Sequence, residues 1–336
     1  MSAPSRDPGP ARAVRIGTRA SQLAMWQANR VAQLLRLGPQ APPVELVCIR
    51  TEGDARTDIP LWQAGGRAFF TREIDHAVLV GQVDLAVHSL KDLSTAIDPG
   101  LALCAVLERE DPRDALLARS AASLQELRPG ARVGTSSLRR RALLARARGD
   151  LTVLELRGNV PTRVEKLARG EFDAIILAAA GLKRLGLERH ISAYLAPEQF
   201  TPAVSQGAIG VVSRAGDERS ASWIERLDHF ATRIATHAER ALLRKVEGGC
   251  QIPLGALGSL EGDRLRLQAL VCSLDGTSAV AAQAEAHLRA SSATGDGAAA
   301  QRQAAELGER LGDELLAQGA RGIIEQQRSP ARVDLP

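Results

Sequence analysis

Aromatic side chains are nearly missing from this chain: three Trp, one Tyr and five Phe make up 3% of 336 residues. So few stacking platforms count against general binding of single-stranded nucleic acid, in spite of a net charge of +4. Cysteine is scarce too. Cys48, Cys104, Cys250 and Cys272 lie far apart with no metal-ligand spacing. No metal site is expected, and reduced thiols in a cytoplasmic protein are the simplest account. No apolar run approaches the ~20 residues that span a bilayer, so no membrane partner is expected. The first 13 residues, rich in Pro, Ser and Arg without an apolar core, read as a disordered leader and not a secretory signal. Lysine is the last shortage. Lys91, Lys166, Lys183 and Lys245 are four of 43 basic residues, and the rest are Arg. Coding bias accounts for most of these arginines, so their positions carry more meaning than their number.

What is present is the material of an ordinary globular protein, 45% hydrophobic and 24% charged, long enough for two or three domains. Two stretches resemble each other. Val14-Arg15-Ile16-Gly17-Thr18-Arg19-Ala20-Ser21 precedes a helical pattern from Leu23 to Leu35. Arg132-Val133-Gly134-Thr135-Ser136-Ser137-Leu138-Arg139 precedes one through Arg146. Each reads as a buried strand, a Gly-Thr turn, and a helix opening with hydroxyls and arginines. Later, the strand pattern Gly81 to Val87 is matched by Gly170 to Ile176. Strands alternating with helices argue for parallel βαβ units, and two such halves for a bilobal architecture. Both turns fall where open α/β sheets place ligands, beyond strand carboxyl ends and at helix N-termini. An anion between the lobes is the natural occupant.

Pro197 to Gly210 reads as a crossing or hinge segment. A helix is expected from about Trp223 to Val246, then a Gly-Gly-Cys loop and a half-buried strand through Leu265, Leu267, Ala269 and Val271. Ser291 to Ala300 reads as a loop, and Leu307, Leu311 and Leu315 mark an amphipathic helix. Together these predict a small C-terminal α+β domain. Arg50 to Arg67 reads either as a lid or as a surface loop.

Three strings carry chemistry. Ser136-Ser137-Leu138-Arg139-Arg140-Arg141 opens a helix, where N–H groups, hydroxyls and guanidinium forks can hold carboxylates or phosphates; a solvated basic face has the same pattern. Arg157-Gly158-Asn159 and Arg163 follow a strand end and add donors. His88-Ser89-Leu90-Lys91-Asp92 follows the strand Asp84 to Val87, and Lys91 favours an ionised Asp92 that can move protons or offset a cation. A surface Lys-Asp pair is the plainer reading, and His88 alone is more often structural. Glu247-Gly248-Gly249-Cys250 puts a thiol on a permissive loop behind Arg240, Arg244 and Lys245, cations that make a thiol more nucleophilic; a buried inert Cys is the default.

These motifs, in this order from about residue 14 to 325, resemble the hydroxymethylbilane synthase (porphobilinogen deaminase) family. The resemblance also takes in Arg109 through Ala115, Asp173 through Leu187, Pro202-Ala203-Val204 and Gln206-Gly207-Ala208. It implies two similar parallel or mixed-sheet domains of the periplasmic-binding-protein kind plus a small C-terminal α+β domain. Domain 1 would hold residues 1–107 and 208–222, domain 2 residues 108–207, and domain 3 residues 223–336. It implies a dipyrromethane cofactor joined as a thioether to Cys250, porphobilinogen as substrate, and a monomer. Asp92 matches the catalytic carboxylate. Ser89, Lys91, Thr135, Ser137, Arg139 and Arg140 match cofactor ligands, and Arg19, Ser21, Arg157 and Arg163 match substrate ligands. Four porphobilinogen units would be joined with loss of ammonia, each through a methylene-pyrroleninium cation, and released as hydroxymethylbilane.

Some positions depart from the family pattern: Arg67-Ala68 where Lys-Gly is usual, Ser205 for a common Gly, and Glu52 where a basic residue is frequent. They bear on lid behaviour and rate. A non-catalytic two-lobed anion-binding protein is the rival reading, and a basic RNA-binding protein a third. The first leaves Cys250 and the Lys91-Asp92 pair without work.

Overall fold

The computed structural model describes residues 12–37, 41–55, 70–217, 224–247, 252–289 and 297–328. Residues 1–11 of the leader, Cys250, residues 56–67 of the expected lid and Ala68 lie outside the described residues.

The first sheet grows from strands whose side chains are mostly apolar. β1 (Val14–Thr18) pairs in parallel with β2 (Val44–Cys48) on one side and β3 (Leu85–Ser89) on the other. β3 is buried along Leu85-Ala86-Val87-His88, the continuous run of a strand covered on both faces. β4 (Leu101–Val106) closes the far edge, with β10 (Ile209–Arg214) inserted antiparallel between β3 and β4. The second sheet repeats this plan. β6 (Arg132–Gly134) pairs in parallel with β7 (Thr152–Leu154) and β8 (Ala174–Ala178). β5 (Asp114–Ala118) is antiparallel to β8 and to β9 (Ala193–Tyr194).

The likeness of the halves extends to a shared lock. Arg15 donates from Nη2 to the Gly81 carbonyl (2.8 Å) and from its backbone N–H to Asp84 (2.9 Å). Arg132 donates in the same way to Gly170 (2.9 Å) and Asp173 (2.8 Å). Gly81 and Gly170 have φ of 73° and 79°, the left-handed region glycine enters without a Cβ penalty. Arg15 and Arg132, Gly81 and Gly170, and Asp84 and Asp173 are thus equivalent positions of the two halves.

The chain crosses between the sheets after β4 and returns before β10. In the return, Ser205 has φ 62° and its buried Oγ has no hydrogen-bond partner, while its N–H donates to Glu239 Oε2 (2.6 Å). A Cβ on Gly207 (φ 90°) would overlap the Glu110 carbonyl oxygen. Replacing Ser205 by glycine keeps the N–H bond, relieves the left-handed strain and removes a buried unpaired hydroxyl. Ser205→Gly is therefore expected to stabilise by about 1 kcal/mol, less than the gross strain and polar terms because glycine gains freedom when unfolded. A lower melting temperature for the variant would contradict this account.

The C-terminal part is an antiparallel meander, β11 (Leu254–Glu261), β12 (Arg264–Cys272) and β13 (Ala279–His287). Two helices, Phe230–Glu247 and Gly297–Leu315, share one core with it, in which Ile234, Leu242, Leu267, Leu307 and Leu311 are all buried. The first helix starts later than the sequence pattern predicts. Ile224 is helical and Glu225–Leu227 form a 3-10 turn, but Asp228 Oδ1 accepts from the Val106 N–H (2.7 Å) and pins the chain to β4, so the long α-helix starts beyond His229, whose Nδ1 accepts from the Thr232 N–H (3.3 Å). The loop expected up to Ala300 also ends sooner. Gly297–Ala300 already form the first helical turn, in keeping with the high helix propensity of the Ala298-Ala299-Ala300 run.

Candidate active site

On the first lobe the strand end itself presents the reactive pair. Leu90–Asp92 is a single 3-10 turn after β3, and its flanking Leu90 and Leu93 are buried. The Leu90 N–H donates to the Ala208 carbonyl (3.0 Å), so the turn is held by the returning chain. Two anchored leucines leave Lys91 and Asp92 between them, both half-buried. Ser89 exchanges hydrogen bonds with Gln27 (2.9 and 3.3 Å). His88 is buried and bonded through Nε2 to Asp75 (2.9 Å), the structural histidine its context suggested. At the end of β1, the Arg19 guanidinium lies 4.3 Å from the centre of the Phe70 ring. Ser21 caps the helix Gln22–Leu35 by accepting from the Ala24 N–H (3.3 Å).

The second lobe departs from the expected picture of open forks. Thr135 Oγ1 accepts from the Ser137 N–H (3.3 Å), and Ser137 caps the helix Leu138–Ala147 by accepting from the Arg140 N–H (3.4 Å). The next two side chains turn inward. Arg139 donates to the Thr201 carbonyl (2.7 Å) and Asp114 Oδ2 (2.7 Å). Arg140 donates twice to Asp114 Oδ1 (3.0 and 2.7 Å) and to the Ile176 carbonyl (3.1 Å). Asp114 is wholly buried, and both arginines nearly so. Most of their donors are thus committed within the protein. The pair keeps a net positive charge beside the cleft, reduced by one carboxylate, and Arg139 Nε is buried without a hydrogen-bond partner.

Arg157 and Arg163 approach from the loop and helix after β7. Asn159 caps the helix Val160–Ala168 through the Thr162 N–H (3.0 Å), and Arg163 Nε donates to the Gly158 carbonyl (2.7 Å). Desolvation, reinforced by Arg140 and Arg157, pulls the Arg163 pKa down to about 10 against the opposing pull of Glu155 and Asp92. Desolvation likewise pulls Lys91 down to about 8; Asp92 and Asp114 oppose the shift, and Arg140 and Arg139 add to it. These mutual effects bring residues of both lobes into one electrostatic neighbourhood. Among the described residues, these effects involve five cations, Lys91, Arg139, Arg140, Arg157 and Arg163, and three carboxylates, Asp92, Asp114 and Glu155, an excess of positive charge.

Two residues at its centre had been given no role. Asp114 was legible only as an acid heading the apolar strand Ala115-Leu116-Leu117, a placement that demands a buried partner. Gln206 bridges Lys91 and Arg140 from the return segment. Among the described residues, no cluster of His, Cys, Asp and Glu can hold a metal ion, and no helix is long and apolar enough to cross a membrane.

The architecture is that of a two-lobed α/β protein with an under-neutralised cationic cleft and a small α+β domain behind it. A family model described as porphobilinogen deaminase, dipyrromethane cofactor binding domain, matches residues 14–222, and the porphobilinogen deaminase C-terminal domain matches residues 234–317. The porphobilinogen deaminase of Pelobacter propionicus is 47% identical over 317 residues, 94% of this chain and 98% of its own. That of Geobacter metallireducens is 45% identical over 321 residues, 95% of this chain and 96% of its own. A periplasmic substrate-binding protein of an ABC transporter from Coxiella burnetii aligns over 64% of this chain and 91% of its own, at 16% identity and a TM-score of 0.42. The chain belongs to the porphobilinogen deaminase family.

Proposed function

We propose that this cleft joins four porphobilinogen molecules head to tail, with loss of ammonia, to give hydroxymethylbilane, and that Asp92 is its catalytic carboxylate. The observation that carries this reading is the excess of buried and half-buried cations over carboxylates around Asp92. Each porphobilinogen brings two carboxylates, and a lengthening chain of them supplies the counter-charge that Lys91 and Arg163 lack. The same chemistry fits a dipyrromethane cofactor with its four carboxylates. Lys91, Ser89, Thr135, Ser137, Arg139 and Arg140 would hold it, and Cys250 would anchor it. When bound, the cofactor supplies the free α-carbon of its terminal pyrrole as nucleophile.

The protein's own side chains do the rest. Arg19, Ser21, Arg157 and Arg163 bind the incoming carboxylates. Asp92 Oδ accepts from pyrrole N–H and offsets the positive charge that develops as ammonia leaves, from a half-buried position where such a contact is stronger than in bulk water. Tethering makes each attack effectively intramolecular. The domain limits 1–107 with 208–222, 108–207, and 223–336, a cytoplasmic location and a monomeric state belong to the same reading. A simple anion-binding role leaves the Lys91-Asp92 pair idle and is not favoured.

Intact-mass analysis of the purified protein is expected to show an adduct of two pyrrole units, and acid Ehrlich reagent to colour it. Cys250→Ser should lose both signals. An unmodified thiol in freshly prepared wild-type protein would refute the cofactor assignment.

A further inference from the structure

Gln206 is almost wholly buried, and the reaction as outlined gives it nothing to do. Its amide has a defined orientation. Nε2 donates to the Pro112 carbonyl (2.8 Å) and to Asp114 Oδ1 (2.9 Å), both acceptors, so Oε1 must point the other way. There it accepts from Lys91 Nζ (3.5 Å) and Arg140 Nη2 (3.4 Å). The backbone beneath is held from several sides. The Gln206 carbonyl accepts from Arg109 Nε (2.8 Å), and the neighbouring Ser205 N–H donates to Glu239 (2.6 Å). The Gly207 carbonyl accepts from the Glu110 N–H (3.1 Å) and from Arg184, and the Ala208 carbonyl accepts from Leu90.

We propose that Gln206 is a positioning residue for Lys91, its amide oxygen tying the ammonium of one lobe to the Asp114–Arg140 pair of the other. The inference deepens the proposed function, because the aligned ammonium is the one that receives carboxylates. A neutral amide suits the place. It satisfies a cation with one end and an anion with the other, which neither a carboxylate nor an apolar chain can do. The charged groups acting on Lys91 are Asp92 on its own turn, Asp114 on β5, and Arg139 and Arg140 on the helix Leu138–Ala147. Gln206 is the neutral contact among them.

With only four lysines in the chain, Lys91 can be followed by NMR in holoenzyme labelled with 13C-lysine, its signal assigned by a Lys91→Arg variant. Gln206→Met removes the acceptor and is expected to lower the Lys91 titration midpoint by about half a pH unit or more. Gln206→Glu sets a carboxylate beside the ammonium and is expected to raise it, even though its repulsion from Asp114 costs stability. Lys183 and Lys245 should not move in either variant. Turnover of porphobilinogen should fall about five-fold in Gln206→Met with little change in its Michaelis constant, as for a contact that places the cofactor and does not bind the incoming substrate. A Lys91 midpoint that is the same in wild type and both variants overturns the proposal, as does a shift of the same sign in both. Failure of the wild type to consume porphobilinogen would instead overturn the functional reading, and the titration would still judge the contact.

Discussion

Asp92→Asn is expected to keep a bound pyrrole adduct and to turn over about 10²–10³-fold more slowly than wild type, the usual cost of removing one electrostatic contact to a transition state. The amide preserves the shape and one acceptor oxygen and removes only the charge. That charge has two tasks. It faces the cation that forms as ammonia departs, and it holds up the pKa of Lys91 and Arg163 against desolvation and their like-charged neighbours. Without it Lys91 falls further below its value of about 8, so a larger fraction is neutral at a given pH. Turnover, which needs Lys91 charged against the cofactor carboxylates, is therefore expected to fall as pH rises through about 8 in wild type, and at lower pH in Asp92→Asn. Steady-state rates over pH 6–9, with the adduct checked by mass, test both parts. Near-normal turnover would remove Asp92 from the mechanism.

Asp114→Asn should be the most destabilising single change at the site, by about 3–5 kcal/mol, because it leaves two buried guanidiniums without their shared carboxylate. Desolvation by itself would raise the Asp114 pKa. The charges of Arg139 and Arg140, with hydrogen bonds from Arg140 and Gln206, outweigh it and hold the group far below the ordinary carboxylate range. The linkage has a definite sign. A carboxyl depressed in the folded state contributes fully above its unfolded value of about 4, and that contribution is lost as pH falls toward the folded value. Asp111 behaves alike. Against desolvation, its bonds to Arg113, with that residue's charge and the charge of Lys183, draw it down to about 2. Wild-type stability is thus expected to decline below pH 4. Asp114→Asn should start lower and show a shallower slope across the same window. Denaturant midpoints from pH 2.5 to 7 measure both, and parallel pH profiles for the two proteins would exclude Asp114 as the titrating group.

The arginines of the second lobe show where sequence reading stops. Ser136-Ser137-Leu138-Arg139-Arg140 was legible as the opening of a helix, because helical periodicity acts within a few residues. The direction of the two guanidiniums was not. It is set by Asp114, 25 and 26 residues earlier, and by the carbonyl of Thr201, 62 residues later. A string of basic residues looks the same whether its forks face a ligand or a buried acid. The helix expected from Trp223 is interrupted at Asp228 and His229 for a related reason: Asp228 is bound to β4, 122 residues away.

By itself the sequence determined the two-lobed plan, the small third domain and the place of Lys91 and Asp92 at a strand's carboxyl end. Each follows from local rules: strand and helix periods, glycine-bearing turns and caps. Only the tertiary structure decided which charges meet across the lobes. It drew Arg139 and Arg140 onto Asp114, and set Gln206 against Lys91 from 115 residues away. Burial makes an unpaired charge costly, so each ionised group settles on whatever partner the packed chain brings within reach.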